Sequence, residues 1–441
     1  MNRLVLWFLP LALPAADYVV VVSQKTAEAP GWSQVVQSLE ATHQAKVLRF
    51  EGSVFSIQST LRSASPRWVC WVAQPEELGA KAAADMHQLA RDNDEDPYED
   101  FQWGVITGRT SDDALKLTDN SKPLIIRTVG ASTNFASECV EEGYWFDEFT
   151  AGEKWTKSKG GVAEKLSGAK DSTESIVQKL NEGKTDLFIT SGHATEHDWQ
   201  PGYKYRNGTF GHKDGTIIGK ALDGKVYTVD SPNPKVYLPI GNCLMGNIPG
   251  KNCMALSWMH SCGVKQMVGY VVPTWFGYAG WGVLDYFVEQ PGRFSLNQAW
   301  LANHHALIWK KLHSKGDDAQ DLNGLDFDAD KTIFYGDPKW EARMAPGVLR
   351  WEETLKQISA SEWEWTITPK AGSKTFAPVN TNGSQRGGRP LVAFLPRHAA
   401  GWKLLTGEKW SPVLADDFVL LPNPGADAQL PEVIVIRIQA K

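Results

Sequence analysis

Runs of apolar, often β-branched residues recur along the chain at 18–22, 47–50, 68–72, 103–107, 124–129, 187–190, 236–240 and 264–272. Between them lie stretches with helical spacing at 32–41, 55–61, 75–91, 111–117, 172–180, 254–262, 277–288 and 296–312. A run without polar alternation is the mark of a strand buried on both faces, and its repeated exchange with helices predicts an α/β fold. The expected architecture is a mainly parallel sheet with helices on both faces. Two rounds of alternation suggest two side-by-side halves, 17–120 and 121–346. From 350 to 441 the texture changes to short alternating runs at 363–367, 391–395, 418–421 and 433–438, cut by Pro and Gly turns. That pattern predicts a small β-sandwich of Ig-like kind.

The first residues, MNRLVLWFLPLALPAAD, carry one positive charge and then an apolar stretch too short to span a bilayer as a helix. They read as a secretory signal over 1–16, so the expected location is periplasmic or extracellular. With Tyr18 opening the first strand, no sizeable pro-segment is expected, and no later stretch is apolar enough for a membrane span. The formal charge of −6 comes with no basic stripe, which argues against nucleic acid as a partner.

Two of the runs end at a glycine and then present a reactive side chain. DLFITSGHATEHDW delivers His193, and KVYLPIGNCLMGN delivers Cys243. Ligands of open parallel sheets gather at carboxyl ends of strands. A thiol becomes a nucleophile when a neighbouring imidazole or other positive group stabilises its thiolate. Cys70, Cys253 and Cys262 lie in strand-like or helix-flanking apolar stretches and read as core. Two other readings stay open at this point. His193-Ala-Thr-Glu-His197 matches H-x-x-E-H, which would make a zinc-dependent hydrolase if the segment were helical. A catalytically inactive protein that binds peptide or glycan through its Trp-rich loops is the third. The long connection 197–239 is expected to hold one or two hairpins over the rim.

The motifs together resemble the gingipain family of cysteine peptidases, relatives of caspases and legumain. ITGRTSDDA at 106–114, TSGHATEHDW at 190–199, LPIGNCLMGN at 238–247 with NCMALSW at 252–258, VGYVVPTWFGYAGWG at 268–282 and FYGDPKW at 334–340 carry the resemblance. It implies a caspase-like sheet and an exported cysteine endopeptidase acting on protein or peptide substrates. Cys243 would be the nucleophile and His193 the general base or acid. The backbone N–H of Ala194 would serve the oxyanion together with that of Cys243, and Trp275 would form the aromatic lid over the substrate pocket. Ala194 and Asn242 stand where the family has glycine and a small residue. The family's acid for basic side chains maps to Asp112 or Asp113, whose other reading is a helix cap. No cofactor is required, but the acidic run 321–330 offers oxygens at alternate positions that would suit a structural calcium, with a solvated loop as the alternative.

Overall fold

Every residue of β1 (Tyr18–Ser23) is buried, as its unbroken apolar run demands. The computed structural model describes residues 17–314, 319–377, 389–396, 398–399, 401–424 and 429–441, so the expected export signal lies outside it. With β1, the strands β2 (Lys46–Phe50), β3 (Trp68–Val72), β4 (Gln102–Ile106), β5 (Thr128–Ala131), β6 (Glu142–Phe146), β7 (Glu153–Lys157), β8 (Glu164–Ser167), β9 (Leu187–Gly192), β10 (Lys235–Asn242), β11 (Val264–Tyr270) and β12 (Thr332–Tyr335) build one sheet. Its twelve strands lie in the order β2-β1-β3-β4-β12-β11-β10-β9-β5-β6-β7-β8.

The expectation of a mixed α/β fold with a mainly parallel sheet is met. Strand direction adds something that periodicity cannot convey. β1 to β4 are mutually parallel, and β12 joins them parallel to β4. β12 also pairs antiparallel with β11, which opens a second parallel set running through β10, β9, β5 and β6. The two sets therefore run in opposite directions. The edge where β9, β10 and β11 end is the edge where β4 begins.

β12 holds the seam through the residues that follow it. The buried carboxylate of Asp337 accepts from the Tyr18 hydroxyl at 2.9 Å and meets His43 Nε2 at 2.7 Å. Asn120 donates to it as well. The Gly-Asp-Pro stretch after β12 is thus a fastening between distant strands and loops.

The expected single strand at 124–129 is divided. Leu124–Ile126 pairs instead with Ala342–Met344, and β5 enters the main sheet after Arg127. The 197–239 connection carries the expected hairpins as a separate antiparallel sheet of Asp198–Trp199, Thr209–Lys213, Thr216–Lys220 and Val226–Thr228.

Beyond 350, Trp351–Gln357, Glu362–Pro369, Ile434–Ala440 and Trp402–Thr406 form one antiparallel sheet. Leu391–Phe394, Phe418–Leu421 and Val413–Leu414 form another. Both contribute to one apolar core that includes Trp363, Trp365, Val419 and Ile436. This part is fastened to the first, since the Tyr286 hydroxyl donates to the Pro390 carbonyl at 2.8 Å and Phe418 packs on His305.

The acidic run read as a calcium loop or a solvated loop is largely helical, spanning Ala319–Asp328. Leu322 and Leu325, three apart, pack with Tyr270, Tyr278 and Phe276, and this burial overrides the loop-like composition. Asp328 accepts from the Tyr270 hydroxyl at 2.8 Å and from the Ala279 N–H at 2.9 Å, while Asp330 pairs with Arg91. These carboxylates are committed to packing and do not converge on a common point.

Candidate active site

β9 and β10 are neighbours, and their parallel register sets Ser191 beside Gly241 and Gly192 beside Asn242. His193 and Cys243 are the next residue of each strand, so both side chains leave the sheet at the same height. Glycine is required on both. Gly192 has φ +111°, and a Cβ there would lie 2.4 Å from the Gln200 carbonyl oxygen. A Cβ at Gly241 would meet the Ser191 hydroxyl at the same separation, 2.4 Å. The small-residue ends seen in the sequence are what let the two strands and the following hairpin close together.

Asn242 locks that arrangement. Its buried amide donates to the Gly192 carbonyl at 2.9 Å and accepts from the Thr190 hydroxyl at 2.6 Å, linking the two strand ends through one side chain. The departure from a small residue before the cysteine thus has a local structural role. Asn242→Ala would take the amide donor from the buried Gly192 carbonyl, at about 1–3 kcal/mol, while the Thr190 hydroxyl keeps the Tyr237 hydroxyl at 3.1 Å. The expected result is a loss of roughly 2 kcal/mol of stability by urea denaturation, together with a fall in any turnover.

After Cys243 the chain turns through Leu244, whose φ of 57° lies in the left-handed region that a branched residue seldom occupies. Leu244 N–H donates to the Val272 carbonyl and Gly246 N–H to the Tyr270 carbonyl, which pin this turn against the end of β11. The half-buried sulfur receives the Thr274 N–H at 3.3 Å and faces the Thr274 carbonyl at 3.7 Å.

On the other strand end, Ala194 pairs with Trp199 as an isolated antiparallel bridge. The flanking bonds are Gln200 N–H to the His193 carbonyl at 2.8 Å and Thr195 N–H to the Asp198 carbonyl at 2.9 Å. Ala194 therefore occupies the non-hydrogen-bonded position, and its own N–H points away from the hairpin. A donor so directed suits the oxyanion role.

His193 and Cys243 line one cleft of about 360 Å³ with Thr274, Trp275, Phe276, Trp281, Glu148, Phe149 and Tyr203. Trp275 is 78% exposed, so its ring lines the cleft with little packing to hold it. The His193 imidazole stacks on Tyr203 at 5.4 Å between centroids and 26° between planes. Tyr203 is held in turn by its N–H, which donates to the Glu148 carbonyl at 2.5 Å.

Asp112 and Asp113 do not line this cleft. Asp112 is exposed, and the Asp113 carboxylate meets His260 Nδ1 at 2.8 Å and Lys116 Nζ at 3.2 Å. The cap of helix Ser111–Leu117 is Thr110, which accepts from the Asp113 N–H. The acidic residue among those lining the cleft is Glu148, which is buried and whose Oε1 accepts from the Thr133 hydroxyl at 2.6 Å. Glu148 and Phe149 follow β6, a strand that periodicity had not indicated, while Tyr203 sits in the long 197–239 connection expected over the rim.

The other cysteines are poor nucleophiles. Burial pushes Cys253 and Cys262 up to about 11 and Cys139 up to about 12, and it raises Cys70 well above the ordinary thiol value. All five cysteines are free. Only Cys243 among them lines the cleft.

The H-x-x-E-H segment is not helical. It runs as the end of β9, a turn and the start of the Asp198–Trp199 strand, so the two histidines lack the one-turn spacing on a helix face that zinc ligation by this motif needs. Among the described residues, His193 and His197 belong to no group of converging metal-ligand atoms.

Oxygen ligands do converge elsewhere. Carboxylate oxygens of Asp94, Asp96 and Asp100 lie within 4.8 Å of one another, and the buried Asp100 Oδ2 has no protein partner. Burial, together with the carboxylates of Asp94, Asp416, Asp96 and Asp417, pushes the Asp100 carboxyl up to about 9. Among the described residues no helix is long and apolar enough to cross a membrane. Comparison with family models, with curated proteins and with solved structures finds no match.

Proposed function

We propose that this chain is an exported cysteine endopeptidase of gingipain-like type, with Cys243 as nucleophile and His193 as its general base and then acid. The observation that carries this reading is the register of β9 and β10, which releases the two side chains from adjacent positions into one cleft. The thiolate attacks the scissile carbonyl, and the developing oxyanion lies towards the N–H groups of Cys243 and Ala194. The imidazole passes its proton to the leaving amine, and water then releases the acyl group. Trp275 covers the residue before the cut, and Glu148 is the acidic residue of the cleft wall. A caspase-like arrangement of the first part and an Ig-like end belong to the same reading, and so does the division into halves at 17–120 and 121–346. The substrates are proteins or peptides, with no role for nucleic acid. Digestion of a peptide library, with the modified residue mapped after a thiol-directed electrophile, tests the proposal. Cleavage together with a label on Cys243 supports it, and a folded protein that cleaves no peptide and leaves Cys243 unlabelled overturns it.

A structural calcium fits Asp94, Asp96 and Asp100 better than the 321–330 run. A buried carboxylate oxygen without a partner among other carboxylates is the environment that a hard cation relieves. Calcium at about 1 mM, in the range of extracellular calcium modules, is therefore expected to raise the melting temperature by several degrees over the chelated protein. Asp100→Asn should lose that rise, and without calcium it should melt above the wild type at neutral pH, because a neutral amide folds without the proton uptake that holding this raised carboxyl requires. Differential scanning fluorimetry with and without a calcium chelator reads both effects.

A further inference from the structure

A second recess, about 480 Å³, is lined by the 92–97 loop, by His304, Leu307 and Leu312 of helix Leu296–His313, and by Asp330. Behind His304 and Asp330 lie His87, from helix Ala80–Arg91, and Glu99, both buried. Their polar atoms meet at one point. His87 Nδ1 is 2.5 Å and His304 Nε2 is 3.1 Å from Glu99 Oε1. Asp330 Oδ1 lies 4.0 Å and 3.7 Å from the same two nitrogens.

The other polar atoms of His87 and Glu99 are already engaged. His87 Nε2 is 2.9 Å from the Thr332 carbonyl, which can only accept, so the proton on this nitrogen is fixed and Nδ1 is the atom turned to Glu99. Glu99 Oε2 accepts from Trp103 Nε1 at 3.0 Å, which leaves Oε1 for the two imidazoles. A histidine that donates one ring N–H to a carbonyl and turns the other nitrogen towards a carboxylate has the second-layer support usual for metal ligands. At 2.5 Å an imidazole nitrogen and a carboxylate oxygen share a proton, and a metal ion takes the place of that proton once the two atoms separate to about 3 Å, the spacing of two ligands on one zinc.

Arg91 is engaged by Asp330 in a two-pronged pair, at 2.6 Å and 2.7 Å, while its Nη1 also lies 3.5 Å from His304 Nε2 and 3.8 Å from Glu99 Oε1, so an ion entering here moves this guanidinium aside towards Asp330. Metal binding releases to solvent whatever protons the two ligating nitrogens carry. Two nitrogen donors with a carboxylate favour zinc or its borderline neighbours over calcium.

We propose that His87 Nδ1, His304 Nε2 and Glu99 Oε1 form a binding site for a zinc-class divalent ion, with Asp330 as the nearest further carboxylate and the recess as the way in. The ion would fasten helix Ala80–Arg91 and the approach to β4 to helix Leu296–His313. It would lie apart from the cleft, at a place the zinc-peptidase motif does not touch.

The test uses the full chain, stripped with a chelator and dialysed, then titrated with zinc alone. Metal content and calorimetry should give close to one zinc per chain, with a melting temperature raised by roughly 5 °C and little competition from millimolar calcium. His304→Ala and Glu99→Gln, checked for folding by circular dichroism, should each lose zinc stoichiometry, while a His193→Ala/His197→Ala double variant should retain it. A folded wild type that takes up no zinc overturns the site and leaves a proton-held ion-pair network. So does zinc that persists in a folded His304→Ala, or that disappears in the His193/His197 double variant.

Discussion

Cys243→Ala is expected to abolish peptide cleavage and labelling by a thiol-directed electrophile while leaving the fold unchanged. The expectation rests on how differently the five sulfurs are placed. Cys243 lines the cleft beside His193, whereas Cys253 and Cys262 flank helix Met254–Ser261 with their side chains fully buried. With thiols pushed up to about 11, those two hold on the order of one thiolate in 10⁴ molecules at neutral pH, and no electrophile can reach them. Cys253→Ala and Cys262→Ala should therefore keep full labelling, apart from a packing loss visible in denaturation. The half-buried Cys243 can lose its sulfur with little effect on stability, because among the described residues its sulfur hydrogen-bonds to the Thr274 backbone alone. Turnover that survived in Cys243→Ala would overturn the dyad.

The strands that carry the site were legible because β-branched runs end in glycine at both places, and burial on two faces leaves little room for another interpretation. Pairing was not legible. Nothing in local periodicity says that β9 and β10 lie side by side, or that the two parallel sets oppose each other through β12. The strands β7 and β8, EKWTK and EKLS, escape notice because they sit at an exposed sheet edge where polar residues are tolerated. The 321–330 run misled for the opposite reason, since two leucines at helical spacing outweigh Gly324 and the aspartates once Tyr278 and Phe276 are there to receive them. Residues brought to the cleft by pairing alone, Glu148 above all, had no sequence signal. Tyr203 had the weak one of lying in a long rim connection. The His87, Glu99 and His304 cluster was invisible for the same reason, as its members come from three elements that only the seam between the two strand sets brings together.

His193→Ala is expected to lower kcat by a factor on the order of 10² to 10⁴, the usual worth of a positioned general base, with little change in KM. The size follows from what the imidazole does in each half of the reaction, taking the thiol proton and then giving one to the leaving amine. Its position depends on two supports. One is the register with Asn242, and the other is the face of Tyr203, 5.4 Å away and close to parallel. A ring held by stacking keeps its orientation without any bond from the tyrosine hydroxyl. Tyr203→Phe should therefore retain kcat, whereas Tyr203→Ala should lower it by about 10-fold, a loss well within what misplacing a catalytic group costs. A positioning role also predicts that Tyr203→Ala leaves Cys243 open to direct alkylation, since the thiol itself touches Thr274 and not this ring. Equal loss of kcat in Tyr203→Phe and Tyr203→Ala would move the role from the ring to its hydroxyl and require a different account of how His193 is held.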